Sequence, residues 1–115
     1  MKLQIVFYIF FIVILKILNE RKSKMDIEIR NNTEEEKFTS LIDGYEAYLE
    51  YNQRDDKISF YRVFTPVELR GKGIAAKLVE FAFEYARENK LKVYPNCSYI
   101  ISYLNRTGNY KDLLA

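Results

Sequence analysis

The chain has 115 residues, of which 49% are hydrophobic and 16% are aromatic, and its formal net charge is +2. This length accommodates one domain with one modest core, and the apolar content excludes a disordered chain. The single cysteine excludes an internal disulfide, and a chain without histidine argues against a zinc site. We therefore expect no metal and a reducing, cytoplasmic setting.

Charge is distributed unevenly along the chain. Residues 1–24 contain five of the 18 basic residues and one of the 16 acidic residues, so the remainder is slightly acidic. Nucleic-acid binding requires a concentrated basic surface. We therefore expect no nucleic-acid partner.

The N-terminal segment is apolar from residue 3 to residue 18, except at Gln4 and Lys16. A membrane-spanning helix needs about 20 residues, so this segment is short, and no small-residue cleavage site follows it. Three interpretations remain open: a membrane anchor, a mis-assigned start with translation beginning at Met25, or a helix packed on the domain. Met25 directly precedes the first predicted strand, which favours a mis-assigned start.

These observations divide the chain into a hydrophobic segment, 1–24, and a domain, 25–115. Membrane contact is expected only through residues 3–18. If that segment inserts, the basic residues that follow it leave the domain on the cytoplasmic side.

Alternating apolar residues predict the strands in chain order. A first strand is predicted at 26–30, followed by a polar turn. A hairpin joins strands 38–42 and 45–51 through Asp43-Gly44, a pair that supplies the positive φ angles of a two-residue turn. The next strand is 58–65.

Strict alternation in this strand places Arg62 on the same face as Ile58, Phe60 and Phe64. A cation within an apolar face is unusual. Either Arg62 reaches the rim or an acidic neighbour, or it faces a functional cleft.

The segment after this strand carries the clearest functional signal, and residues 67–76 read VELRGKGIAA. Its two glycines let backbone N–H groups approach an anion closely, with the positive end of a helix behind them. The pattern predicts a phosphate cradle. A dinucleotide-binding turn would need a third glycine and a parallel β-α-β unit, and a nucleotide-triphosphatase loop would need Lys-Ser/Thr after Gly73; we predict none of these.

Helical periodicity then predicts a helix over 71–89, whose apolar stripe belongs to the core. A short strand at 91–94 is stopped by Pro95. A second helix is predicted over 97–105, opening at Cys97, and a final turn over 110–114.

Matched residues on both sides of the long helix define a resemblance. Pro66 and the run from Glu68 to Ala75 are followed, one helix and one strand later, by Pro95-Asn96-Cys97-Ser98-Tyr99. This order resembles the small single-domain proteins of the GNAT acetyltransferase superfamily, which carry a cysteine after the last strand, and it covers about residues 26–114.

The resemblance implies an α+β fold, the acyl-CoA N-acyltransferase fold, in which a mostly antiparallel mixed sheet carries the pyrophosphate-binding helix. It also implies an N-acetyltransferase that moves an acetyl group from acetyl-CoA to an amine. The strand before the phosphate turn and the strand after the helix would separate and hold the pantetheine arm between them. The implied acetyl-CoA contacts are the main chain of Phe64 and Thr65 and the turn residues Arg70, Gly71, Lys72, Gly73, Ile74 and Ala75. Alternatively, Arg70 and Lys72 are ordinary solvated cations.

The resemblance also implies catalytic and substrate-binding residues. Cys97 would lie near the thioester, either as a nucleophile or as part of the acetyl pocket, and a buried structural cysteine is the alternative. Tyr99 and Tyr103 share a helix face, and we select Tyr103 as the general acid, with a core aromatic as the alternative. Asn96 would bind substrate. Apart from the resemblance, Arg62 would also bind substrate, by selecting an anionic acceptor, if it faces the cleft.

The chain departs from the family at two positions. Family members commonly carry His and Glu where this chain has Arg62 and Phe64. Two functions from different classes therefore remain: an N-acetyltransferase, or a protein that binds CoA without catalysis as an interaction or sensor module.

Overall fold

The computed structural model describes Ile9 and residues 27–115. The interpretations of segment 1–24 therefore lie outside the described residues, apart from Ile9. Within the part of the chain that is described, no helix is long and apolar enough to cross a membrane. The strands are β1 (Arg30–Asn32), β2 (Lys37–Ile42), β3 (Tyr45–Arg54), β4 (Lys57–Phe64) and β5 (Lys92–Pro95). The helices are α1 (Ile74–Glu88) and α2 (Ser98–Thr107), with 3-10 helices at Val67–Leu69 and Lys111–Leu113.

The five strands form one sheet in the order β1-β2-β3-β4-β5. The first three pairs are antiparallel, and β4 pairs with β5 in parallel. This mixed sheet confirms the predicted α+β class. The β4-α1-β5 segment is a parallel β-α-β unit, so the expectation that none surrounds the glycine turn was wrong. A parallel pair needs a long crossover, and α1 provides it.

The hairpin between β2 and β3 forms as predicted. Asp43 has φ 52° and Gly44 has φ 82°, the two positive values that a type I′ turn requires. Pairing begins next to the turn, with Ile42 opposite Tyr45, and continues along both strands to Lys37 opposite Glu50. The first strand, however, begins later than predicted: pairing starts at Arg30, while Ile27 and Ile29 are partly buried against the core.

One face of the sheet carries the core. Phe38, Leu49 and Phe60 are fully buried on this face, together with Leu78 and Phe83 of α1. Helix α2 adds three buried residues to the same core: Ile100, Tyr103 and Leu104. We call this the helix face of the sheet. Burial of its apolar side chains is the main force that holds the strands and helices together.

A β-bulge interrupts the alternation of β4. Tyr51 of β3 lies opposite Phe60, and the neighbouring Glu50 lies opposite Arg62, so Tyr61 is an extra residue without a partner. A single inserted residue reverses the faces of all residues after it. Arg62 therefore points away from the core.

After the bulge, Val63 lies opposite the buried Leu49 and takes the helix face, while Phe64 lies opposite Tyr48 on the other side. The prediction that Arg62 and Phe64 share the face of Ile58 and Phe60 was wrong. We call the second side the open face and define it by four residues, none of them fully buried: Tyr48, Glu50, Arg62 and Phe64.

Candidate active site

A gap opens between β4 and the chain that follows β5. Their pairing ends at Phe60 opposite Pro95, and the N–H of Asn96 donates a final hydrogen bond to the carbonyl oxygen of Phe60, at 2.9 Å. Beyond Phe60, β4 continues to Phe64 with no described strand on this side. This strand gap agrees with the predicted separation of the two strands.

The turn that contains Gly71 and Gly73, which we call the glycine turn, lies beside this gap. It leads into α1, whose N-terminus has no side-chain cap. Gly71 has φ 80° and Gly73 has φ 75°, and Gly73 is the N-cap of α1, without a side-chain cap. No described residue accepts a hydrogen bond from the N–H groups of residues 71–76. A Cβ placed on either glycine would meet no atom within 4 Å. Six consecutive backbone N–H groups therefore have no acceptor among the described residues, and space is open beside the two glycines, as an anion cradle requires.

The two cations of the turn are exposed. The Nε of Arg70 donates a hydrogen bond to the carbonyl oxygen of Thr65, at 3.2 Å, which ties the turn to the end of β4. Among the described residues, neither Arg70 nor Lys72 belongs to an ion pair. Both charges are therefore available to an anion in the cradle.

Two adjoining cavities connect the cradle with β4. One, of about 220 Å³, is lined by the glycine turn; the other, of about 270 Å³, is lined by the end of β4. Both are also lined by Thr65, Arg70, Ala75 and Tyr99. A larger cavity of about 430 Å³, between Ile27 and α1, contains no residue of the glycine turn. The predicted contact residues Phe64 and Thr65 thus share one depression with the cradle.

The hydroxyl of Thr65 is an independent sign of a ligand. Its oxygen is buried and has no hydrogen-bond partner among the described residues. Within that part of the chain, the hydroxyl of Ser40 is the one other buried side-chain polar group of this kind. An unpaired buried hydroxyl costs about 1–3 kcal/mol. Thr65 lines both cavities, whereas Ser40 lies on β2. The open amides and this hydroxyl fit a ligand that has a diphosphate and an arm with polar groups, as acetyl-CoA has.

The two tyrosines of α2 differ in position. Tyr103 is only 3% exposed, and its hydroxyl donates a long hydrogen bond to Oε1 of Glu80, at 3.5 Å. Burial, followed by the Glu80 carboxylate, raises the pKa of Tyr103. Tyr99 instead lines both cavities. Tyr99 is therefore the tyrosine of α2 that lines the two cavities, and the acid role predicted for Tyr103 stays a prediction.

Cys97 and Asn96 lie where the chain leaves the strand gap. Cys97 is the N-cap of α2, is partly buried against the core and lines neither of the two cavities. Its predicted position after the last strand is correct, and its role stays a prediction. Asn96 donates a hydrogen bond from Nδ2 to the hydroxyl of Ser59, at 2.8 Å.

Arg62 lies on the open face at the β4 edge of the gap. Its guanidinium carbon is 5.7 Å from the ring centroid of Tyr48 and 5.8 Å from that of Phe64. Its Nη1 lies 3.8 Å from Oε1 of Glu50. The acidic neighbour that we considered for Arg62 is therefore present, although alternation alone did not show which strand supplies it.

The fold and site define an acyl-CoA-type N-acyltransferase architecture, and comparison with known proteins specifies it. The family model described as GCN5-related N-acetyl-transferase matches residues 37–113, well over half of the chain. The chain therefore belongs to the GCN5-related N-acetyltransferase family and, with it, to the N-acetyltransferases. The predicted GNAT resemblance is confirmed.

A solved structure agrees with this assignment. The solution NMR structure of a GCN5-like N-acetyltransferase candidate from Staphylococcus aureus shares 30% sequence identity with this chain. The match covers 77% of this chain and 88% of that chain, with a TM-score of 0.62. The similarity thus extends over nearly all of the bacterial protein.

Proposed function

We propose that this protein transfers the acetyl group of acetyl-CoA to an amine, with the diphosphate bound by the amides of residues 71–76. The observation that carries the proposal is the run of unpaired N–H groups behind two glycines of positive φ. Arg70 and Lys72 add positive charge at its rim. The family implies acetyl transfer, and this cradle supports CoA as the carrier.

The arm of CoA would run from the cradle through the shared depression into the strand gap. The main chain of Phe64 and Thr65 would pair with its amides, because the β4 edge has no strand partner there. Acetyl-CoA supplies an activated thioester carbonyl when bound. The residues of the chain then hold that carbonyl against the incoming amine, and this positioning is a large part of catalysis.

Tyr99 would serve as the general acid. Its position in the lining of both cavities supports this role, in which its hydroxyl would give a proton to the departing thiolate. Asn96 and Arg62 would contact the acceptor from the open face. Cys97 offers a second route, in which its sulfur carries the acetyl group before the amine does; a chain without histidine supplies no imidazole base for that route.

A non-catalytic CoA sensor is the second candidate function. It is favoured by one observation: Arg62 and Phe64 occupy the positions where the family commonly has His and Glu. In either case, we propose that residues 25–115 form the CoA-binding domain and that it meets the cytoplasmic pool of acetyl-CoA. The partial burial of Ile27 and Ile29 against the core and the family match over 37–113 support these bounds.

Acetyl transfer to a panel of amines tests the proposal. The full chain is incubated with acetyl-CoA and each amine, and free CoA is measured against hydrolysis without amine; we expect release with at least one amine. Binding of CoA without release for any amine would support the sensor, and neither binding nor release would overturn both functions. Intact mass spectrometry separates the two routes: an acetyl adduct absent from Cys97→Ser supports the sulfur route, and turnover by Cys97→Ser supports direct transfer.

A further inference from the structure

The acceptor must reach the strand gap, and the bulge at Tyr61 decides which residues it meets there. Arg62 stands on the open face at the β4 edge of the gap, where an alternating strand would have turned it into the core. Asn96, bonded to Ser59, follows the end of β5 across the gap. A molecule that approaches a thioester in the gap from the open face therefore passes Arg62.

The guanidinium of Arg62 is held in place by two aromatic rings, but its hydrogen-bond donors are not all used. The rings of Tyr48 and Phe64, 5.3 Å apart, form a platform beneath it. Its distance of 3.8 Å to Glu50 exceeds a hydrogen bond, and its side chain is 56% exposed. A planar guanidinium with free donors is the side chain best suited to bind a carboxylate at two points.

Glu50 gives the same patch an opposite charge. Its side chain is 24% exposed and belongs to β3, the strand next to the gap strand. Burial raises the pKa of the nearby Tyr61 hydroxyl, and the Glu50 carboxylate adds to this. The patch thus presents a cation and an anion side by side on an aromatic platform.

We infer that the pair Arg62 and Glu50 recognises the acceptor, and that the acceptor is an amine that carries a carboxylate, the class to which free amino acids belong. This inference rests on the proposed function. Arg62 binds the carboxylate of the acceptor and Glu50 binds its ammonium group. A polycation would meet repulsion from Arg62.

Proton transfer in this scheme is balanced. The ammonium group gives one proton to the Glu50 carboxylate, and the neutral amine forms the C–N bond to the thioester carbonyl. The C–S bond breaks, and the thiolate takes a proton from Tyr99. The nitrogen loses its second proton to water, which restores Tyr99, and Glu50 releases its proton to solvent. The products are an amide, CoA and one proton.

Matched acceptors test the inference directly. Acetylation of glycine and β-alanine is compared with acetylation of glycinamide and β-alaninamide, in which only the carboxylate is replaced. The wild-type protein should prefer the acids by about 10-fold or more in kcat/KM, as expected for a charge-assisted hydrogen bond. Arg62→Ala should abolish this preference through KM, and Arg62→Glu should reverse it. Arg30→Ala, a control cation with a 77% exposed side chain, should leave the preference unchanged.

The role of Glu50 has its own readout. Glu50→Gln should lower kcat, because the acceptor ammonium loses its proton acceptor, while CoA affinity stays unchanged. Glu46→Gln, a second carboxylate on the same strand, is the control and should keep the wild-type kcat.

Two failures are distinguishable. Equal use of acids and amides by the wild type, with transfer intact, would overturn this inference and leave the proposed function standing. A preference for acids that survives in Arg62→Glu, with CoA affinity intact, would also overturn it. Absence of transfer to every amine, with no CoA binding, would overturn the proposed function and this inference with it.

Discussion

The two faces of the sheet share the same strands and use them differently. On the helix face, Phe38 contacts aromatic rings of β3, β4 and α1 at centroid distances of 4.7–6.4 Å. On the open face, Lys37 lies over the ring of Tyr48, and Arg62 lies over the rings of Tyr48 and Phe64. The helix face is thus defined by burial, whereas the open face keeps charged groups accessible for chemistry.

The bulge at Tyr61 changes which residues of β4 lie on each face of the sheet, at the end of the strand beside the gap. It moves Arg62 and Phe64 to the open face just where β4 leaves β5. Arg62 and Phe64, which alternation assigns to the core, therefore lie on the open face beside the strand gap. A local irregularity in one strand thus turns to the open face two residues that regular alternation would have turned to the core.

The largest expected difference between the faces is in stability. Phe60→Ala removes a fully buried ring that lies 5.2 Å from Phe83, and it should lower the free energy of unfolding by about 3–5 kcal/mol. Tyr48→Ala removes a partly exposed ring and should cost about 1 kcal/mol or less. Urea unfolding measures both values. Similar losses for the two variants would mean that the open face is also part of the core.

The next effect separates the two tyrosines of α2. Tyr99→Phe should lower kcat about 100-fold, because the departing thiolate loses its proton donor, and should leave CoA affinity unchanged. Tyr103→Phe removes a hydroxyl bonded to Glu80 and should change stability by about 1 kcal/mol with kcat intact. Steady-state kinetics with parallel unfolding curves checks the pair. Loss of kcat only in Tyr103→Phe would return the acid role to Tyr103.

A smaller effect concerns the two buried hydroxyls that have no hydrogen-bond partner among the described residues. Thr65→Val should weaken CoA binding by about 1 kcal/mol, because the ligand loses a hydrogen-bond partner in the depression. Ser40→Ala removes the other unpaired hydroxyl, which lies outside both cavities, and should leave CoA binding unchanged. Calorimetry of both variants decides the matter. An unaltered affinity in Thr65→Val would remove its hydroxyl from the site.

A last effect is expected at alkaline pH, at Tyr110, whose ring stacks on Phe83 of α1. Burial, followed by the Glu84 carboxylate, raises the pKa of Tyr110 to about 12, from a model-compound value of 10.0. The stability from this raised pKa is therefore complete below pH 10 and is lost as the pH rises toward 12. Tyr110→Phe should show a shallower loss of unfolding free energy over that range. An unchanged slope would mean that another group governs alkaline unfolding.

Local signals in the sequence were sufficient for most of the fold and for the cradle. The Asp43-Gly44 turn and the two glycines of the phosphate turn need particular φ angles, and those requirements are written in the residues themselves. The helix α1 was predicted over 71–89 and forms over Ile74–Glu88; its start was placed too early, because Gly71 and Gly73 adopt positive φ angles.

Features that depend on a distant partner could not be predicted in the same way. The bulge at Tyr61 exists only relative to β3, so alternation within β4 placed Arg62 on the wrong face. Tyr99 and Tyr103 share a helix face, and only the position of Glu80 on α1 shows which of them is turned into the core. The start of β1 was misplaced for the same reason. It is set by the residue at which pairing with β2 begins, and the sequence of β1 alone does not show that residue.

Calorimetric titration with CoA tests the central claim, that the amides of residues 71–76 bind its diphosphate. The wild-type protein should bind, and Gly73→Asp should weaken binding by about 1–3 kcal/mol, because a carboxylate at this turn repels phosphate. Gly73→Ala adds only a Cβ at positive φ and should cost less. No binding by the folded wild type at millimolar CoA, or equal affinity for wild type and Gly73→Asp, would contradict the account.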